Sequence, residues 1–149
     1  MQGRKDPEQM RAADAKAPDD DAPIGGPLVD WQARGSKIEY LGTEDVDGTD
    51  AHKLKVTLAN GDVEYVFFDS DQFLVIRSLQ QRSVRGVEIQ QEVEYSDYET
   101  VNGAYFAFAS ASGAVGATQK DNVTISKPTA NAPVADSLFA FPAASGAGK

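Results

Sequence analysis

Between Lys37 and Phe108, several stretches alternate hydrophobic and polar residues one by one, the pattern of strands with unlike faces. Ile38 and Tyr40 alternate with Lys37 and Glu39, and Leu54, Val56 and Leu58 with Lys53, Lys55 and Thr57. Val63, Tyr65 and Phe67 alternate with Asp62 and Glu64 until Val66 and Phe68 break the alternation. Asp69-Ser70-Asp71 reads as a turn and Phe73-Leu74-Val75-Ile76 as the next strand. Beyond Arg85-Gly86, Val87, Ile89, Val93 and Tyr95 oppose Glu88, Gln90, Glu92 and Glu94. Asn60-Gly61 and Asn102-Gly103 are dipeptides that favour positive φ at both centres of a type I′ hairpin turn. The second leads into Tyr105-Phe106-Ala107-Phe108. The pattern predicts an antiparallel meander.

The ends of the chain have a different grain. Residues 1–30 hold few large apolar side chains, but carry Pro7, Pro18, Pro23, Pro27 and the run Asp19-Asp20-Asp21. One short helix is expected from Pro7 to Lys16, with Asp6 as its cap, Pro7 at its first position and Glu8 at the positive end of its dipole. Residues 109–121 are Ala, Ser, Gly and Thr-rich and read as a flexible connection. A short strand is expected at 122–126, with Val123 and Ile125 on one face, and Pro128 and Pro133 stop it from continuing. Ser137-Leu138-Phe139-Ala140-Phe141-Pro142 is an apolar cluster. The organisation expected is a helix and Pro/Asp-rich linker over 1–30, a β domain over 31–142 and a disordered tail over 143–149.

Both faces of the central strands need cover. Tyr65 and Phe67 oppose Val66 and Phe68, and Phe73 and Val75 oppose Leu74 and Ile76. At about 25 cal/mol per Å² of apolar surface, leaving a whole face of such side chains in water costs several kcal/mol. The cover is either protein packing or an apolar ligand. For a ligand, the candidate contacts are Leu54, Val56, Leu58, Val63, Tyr65, Phe67, Leu74 and Ile76. Periodicity does not say which face is concave.

Composition removes several classes of chemistry. The chain has 149 residues and no cysteine, which excludes disulfides, thiol nucleophiles and cysteine-ligated zinc. Its 23 acidic and 14 basic residues give a net charge of −9, which disfavours nucleic acid as a partner. No apolar run approaches the length of about 18 residues that a membrane-spanning helix needs, and the opening Met-Gln-Gly-Arg-Lys-Asp-Pro has no apolar core of a secretory signal. The acidic stretch Glu44-Asp45-Val46-Asp47-Gly48-Thr49-Asp50 fails as a calcium loop. Counted from Asp45, Gly48 stands at position 4 and not 6, and Val56 takes position 12, where a bidentate Glu belongs. It reads as a solvated turn between strands. His52 is the single histidine, and no nucleophile-elbow motif or Gly-rich oxyanion segment accompanies it. Arg77, Arg82 and Arg85 fit cross-strand pairing with Glu92 and Glu94, or contact with acidic groups of a cargo. These residues point to no enzyme, no cofactor and no metal.

A family resemblance rests on stretches in a fixed order. These are Gly26-Pro27-Leu28-Val29-Asp30-Trp31, Ile38-Glu39-Tyr40-Leu41-Gly42, Asp47-Gly48, Ala51-His52-Lys53-Leu54-Lys55-Val56-Thr57-Leu58, Asn60-Gly61-Asp62-Val63 and Ser96-Asp97-Tyr98-Glu99-Thr100-Val101-Asn102-Gly103. With Pro133-Val134-Ala135-Asp136-Ser137-Leu138-Phe139, they resemble the later half of the LolA-like outer-membrane lipoprotein-sorting proteins. The resemblance implies a mainly β fold, a curved antiparallel meander forming part of an open half β-barrel. Its concave apolar face would bind lipid or the acyl chains of a lipoprotein, in a non-enzymatic carrier of the periplasm. Ala107 stands where the family has a proline, and Pro128 where its last strand continues. Because only the later half is matched, the chain is expected to be the back half of something longer. Exposed sheet edges then invite self-association. The alternative is a structural or protein-interaction β module without a small-molecule ligand.

Overall fold

The computed structural model describes residues 26–84 and 87–141. Seven strands follow in chain order: β1 (Lys37–Val46), β2 (Thr49–Thr57), β3 (Val63–Asp69), β4 (Val75–Val84), β5 (Val87–Val101), β6 (Ala104–Ala114) and β7 (Asp121–Thr124). Each lies antiparallel beside the next in one sheet, and β1 and β7 are its open edges. The fold is therefore the mainly β, unclosed meander that the alternation predicts. The sheet belongs to a compact unit, Pro27–Ala130. A second unit comprises Met1–Gly26 and Asn131–Lys149, and its described part contains a 3₁₀ turn at Asp136–Phe139. The helix expected over 7–16, the tail over 143–149 and Arg85 lie outside the described residues.

The turns explain the register. Asn102 (φ 50°) and Gly103 (φ 84°) both have positive φ between Val101 and Ala104, as a type I′ hairpin requires. Asp47 (φ 52°) and Gly48 (φ 88°) form a second such turn between β1 and β2. The Gly48 N–H donates to Asp45 Oδ1 at 3.2 Å, so the acidic stretch does form a hairpin. The expectation for Asn60-Gly61 needs correction. Only Gly61 has positive φ (92°), its N–H donates to Leu58 O, and the Leu58 N–H donates to Asp62 O. This is a three-residue turn that ends on a left-handed glycine, not a type I′ pair.

Two strand limits also differ from expectation. Phe73 and Leu74 belong to the turn before β4, where Asp69 Oδ1 accepts the N–H groups of Asp71 and Gln72. The strand itself starts at Val75 and runs on through polar residues to Val84. Residues 109–114 are strand and not a flexible connection, pairing with β5 along their length and with β7 at 109–112. Small side chains hide this strand from a reading by hydrophobic contrast, because its backbone ladder sets it.

Registry assigns the two faces. Directly opposed residues share a face, so Lys53, Phe67, Arg77, Glu94 and Ala111 lie on one, called here the first face. Leu54, Val66, Ser78, Val93 and Ser112 lie on the second. Val46, Ala51 and Phe67 are buried together, with Tyr65, Ile76 and Leu79 packed against them. Val56 and Val66 are buried on the second face.

Candidate functional site

The eight residues nominated for an apolar ligand do not form one surface. Val63, Tyr65 and Phe67 stand on the first face, opposite Thr57, Lys55 and Lys53. Leu54 and Val56 stand on the second, opposite Val66 and Glu64. A turn with an odd number of residues joins β2 to β3, so continuing the alternation from Val56 to Val63 crosses the sheet. Ile76 packs with the first-face cluster across an irregularity in the β3–β4 register. Leu58 and Leu74 lie outside the strands. Phe67 is 1% exposed, so the centre of the nominated set is core.

Ion pairs cover the first face. Lys53 Nζ pairs with Glu44 at 2.7 Å and lies about 5 Å from the centres of the Tyr65 and Phe67 rings, its stem along apolar surface and its charge at the rim. Arg77 Nη2 donates to Asp47 Oδ2 at 2.6 Å and to Glu94 Oε1 at 3.1 Å. Lys120 Nζ pairs with Glu92 and Glu94, both at 2.8 Å. The expected Arg77–Glu94 pairing is present. Arg82, on the second face, donates to Gln80 Oε1 at 2.8 Å.

This network reveals curvature. Asp47 sits in the β1–β2 turn and Arg77 on β4, with β3 between β4 and β2. Neighbouring strands are about 4.8 Å apart, so side chains standing upright on a flat sheet would not meet. The β1–β2 hairpin therefore curls over the first face, and Val46 is buried there with Phe67. At the other end, residues 119–120 pass over Gly113, where an added Cβ would lie 3.4 Å from Gln119 O and Lys120 Cγ. Lys120 thus reaches Glu92 across a position without a side chain. The Lys120 ammonium is held above its ordinary range, first by its hydrogen bond to Glu92 and then by that to Glu94. The Glu94 carboxyl is held below its range, mainly by the hydrogen bond from Lys120, against the opposing effect of burial.

The second face has a different character. Tyr40, Val87, Ile89 and Val123 are 59%, 62%, 46% and 58% exposed, and all four lie on it by registry. Ile125 continues the β7 side of this surface, because its N–H donates to Phe108 O at 2.7 Å. By contrast, Val46, Val63, Tyr65, Phe67 and Leu79 at the centre of the first face are all at least partly buried, and the exposed aromatic on that face is Tyr105 near the end of the β5–β6 hairpin. Sequence reasoning placed Val87, Ile89, Val123 and Ile125 on strands but not in the candidate site. The signal was there in the alternation of β5, whose hydrophobic residues share one side.

His52 sits at one corner of the second face. Its Nδ1 is hydrogen-bonded to the Tyr40 hydroxyl at 2.9 Å, and its ring stacks on Phe73 at 5.6 Å with planes 3° apart. Phe73 holds positive φ (57°) in the turn before β4. The imidazole is part of an aromatic cluster. Among the described residues, no group of three or more His, Asp or Glu side chains is placed to hold a metal ion, and no helix is long and apolar enough to cross a membrane. No family model matches the chain, and neither a curated protein nor a solved structure shows significant similarity to it.

Proposed function

We propose that this chain is a non-enzymatic, carrier-type protein that holds acyl chains of a lipid or lipoprotein against the second face of β5 and β7. The observation that carries the reading is the distribution of exposed apolar side chains. Val87, Ile89, Val123 and Ile125 are open to water there, while the apolar residues at the centre of the first face, Tyr65, Phe67 and Leu79, are at least partly buried beside ion pairs of the chain itself. Each methylene buried on such a surface contributes about 0.8 kcal/mol, so a long acyl chain gains more than a compact apolar solute. The periplasm as the setting follows from the family resemblance alone.

A fluorescent fatty acid tests the reading directly. Wild type is expected to bind it and to retain acylated ligands in native mass spectra after gentle purification. Ile89→Glu and Val123→Glu are expected to abolish binding while leaving far-UV circular dichroism unchanged, because both residues are substantially exposed. Glu88→Gln, on the opposite face of β5, should bind like wild type. Failure of wild type to bind any acyl probe would sink the proposal, as would binding that survives both glutamate variants.

A further inference from the structure

We infer that Asn102-Gly103 is a site of spontaneous covalent modification, where solvent water converts the asparagine to isoaspartate and aspartate and so loosens the β5–β6 hairpin. The sequence offers three places where glycine follows a residue with a side-chain carbonyl: Asp47-Gly48, Asn60-Gly61 and Asn102-Gly103. In each, the glycine has no Cβ to hinder attack by its own nitrogen on that carbonyl carbon. The structure separates the three. The Asp47 carboxylate accepts a hydrogen bond from Arg77 at 2.6 Å, and the Gly48 N–H donates to Asp45 Oδ1 at 3.2 Å. Asn60 is held at both ends of its amide: Oδ1 accepts from the Asp62 N–H at 2.9 Å, and Nδ2 donates to Asp62 Oδ2 at 3.1 Å. The Gly61 N–H is tied to Leu58 O at 2.9 Å. Asn102 is exposed, and among the described residues neither its side-chain amide nor the Gly103 N–H has a hydrogen-bond partner.

Strand pairing adds to the difference. The strands flanking Asn60-Gly61 are held on their outer sides right up to the turn, Thr57 by Lys37 of β1 and Val63 by Gln81 of β4. At the other turn, the β4–β5 ladder stops at Glu94 and the β6–β7 ladder at Ala109. Among the described residues, 99–101 and 104–107 therefore have only each other as strand partners. A two-stranded end opens at low cost, which lets Asn102 leave its left-handed geometry and bring Cγ onto the Gly103 nitrogen. That nitrogen gives its proton to solvent and bonds to Cγ. The Cγ–Nδ2 bond breaks, and Nδ2 leaves as ammonia after taking a proton from water. One water then opens the cyclic imide. Attack at Cγ gives aspartate, and attack at the Asn102 main-chain carbonyl carbon gives isoaspartate. The sum is one water consumed and one ammonia released, with no oxidant or reductant. Isoaspartate lengthens the main chain by one atom, which a two-residue type I′ turn does not accommodate. Either product adds a negative charge to a chain that already carries −9.

The test incubates full-length protein at mildly alkaline pH, in buffer and in urea. Peptide mapping by mass spectrometry, with electron-transfer fragmentation to tell isoaspartate from aspartate, follows both sites over time. In buffer, Asn102 is expected to react about tenfold faster than Asn60 or more, because the hydrogen bonds of Asn60 and Gly61 must break before attack. In urea the two rates are expected to converge. Asn60 reacting as fast as Asn102 in the folded protein would overturn the inference, and so would an Asn102 that reacts only in urea. A preference that persists undiminished in urea would trace it to sequence and overturn it as well. The modified form, separated by ion exchange, is expected to show faster amide hydrogen exchange over 99–107 with β2 and β3 unchanged. Exchange that stays the same over 99–107 would refute the loosening of the hairpin.

Discussion

Lys120→Met tests whether the ion pairs of the first face hold the sheet or decorate it. Lys120 contacts two carboxylates at 2.8 Å, with side chains 10% (Glu92) and 35% (Glu94) exposed, and is itself 21% exposed. An exposed pair contributes about 0.2–1 kcal/mol, whereas orphaning a fully buried charge costs about 3–5 kcal/mol. Glu92 lies near the buried limit and Lys120 between the two, so the expected loss is about 2 kcal/mol. For a domain of this size that corresponds to roughly 8 °C in Tm. Glu94 keeps Arg77 as a partner; the penalty therefore falls mainly on Glu92. Adding Glu92→Gln to Lys120→Met should restore about 1 kcal/mol by removing the orphaned charge. Urea denaturation of the four proteins of this cycle, followed by circular dichroism, reads all of it. A loss below about 0.5 kcal/mol in Lys120→Met, or no rescue by Glu92→Gln, would refute the reasoning, since both lie outside what a desolvated pair gives. The pH dependence has a fixed sign. Glu94 is lowered in the fold, so its contribution is complete above the ordinary carboxylate range and is lost as pH falls through the lowered value. Lys120 is raised, so its contribution is complete below the ordinary ammonium range and is lost as pH climbs through the raised value. Lys120→Met should flatten both limbs.

Three further substitutions probe the rest of the sheet. Phe67→Ala removes the largest buried side chain, 1% exposed, and should cost about 3–5 kcal/mol in urea denaturation; a loss under about 1 kcal/mol would mean that the core lies elsewhere. Ser78 is 2% exposed, faces Val66 and Val93, and its Oγ has no hydrogen-bond partner. Ser78→Ala should therefore stabilise the protein by about 1 kcal/mol, and a destabilised variant would reveal a partner for the hydroxyl. Tyr98 donates its hydroxyl to Val75 O at 2.6 Å, and burial raises its phenol above the ordinary range. In an ultraviolet titration of the five tyrosines, one should ionise late. Tyr98→Phe should remove that late phase and cost about 1 kcal/mol below pH 10; an unchanged titration would assign the late phase to another tyrosine.

The meander was legible because its strongest signals are local. The Asn102-Gly103 turn and the alternation of β2, β3 and β5 each specify a neighbour within a few residues. What failed were inferences that cross a turn. Leu54 and Val56 read as continuous with Val63, Tyr65 and Phe67 when written in one line, yet Gly61 adds the third residue that reverses the face. Polar β4, with Arg77, Ser78 and Gln80, has no hydrophobic period to detect, and small-residue β6 beyond Phe108 has little contrast. Both are strands because β5, 15 residues long, offers each of them a backbone to pair with. The ion pairs of Asp47 with Arg77 and Lys120 with Glu92 join residues about 30 positions apart in sequence, a separation that periodicity does not bridge.

The strand β5 accounts for the contrast between the faces. Its glutamates at 92 and 94 draw Arg77 from β4 and Lys120 from the segment before β7 onto the first face. These contacts gather polar side chains over the packed residues Phe67, Tyr65 and Leu79, so that face meets its need for cover from within the chain. On the other side of the same strand, Val87 and Ile89 stay exposed although Arg82 stands opposite Ile89, and β7 adds Val123 in line with Tyr95, six residues along β5 from Ile89. The demand for two-sided cover, evident from the apolar residues alone, is thus met by protein on the first face and, over β2 to β4, on the second as well, where Val56, Val66 and Ser78 are buried. Only the β5 and β7 part of the second face keeps the exposed side chains from which the acyl-binding reading arises.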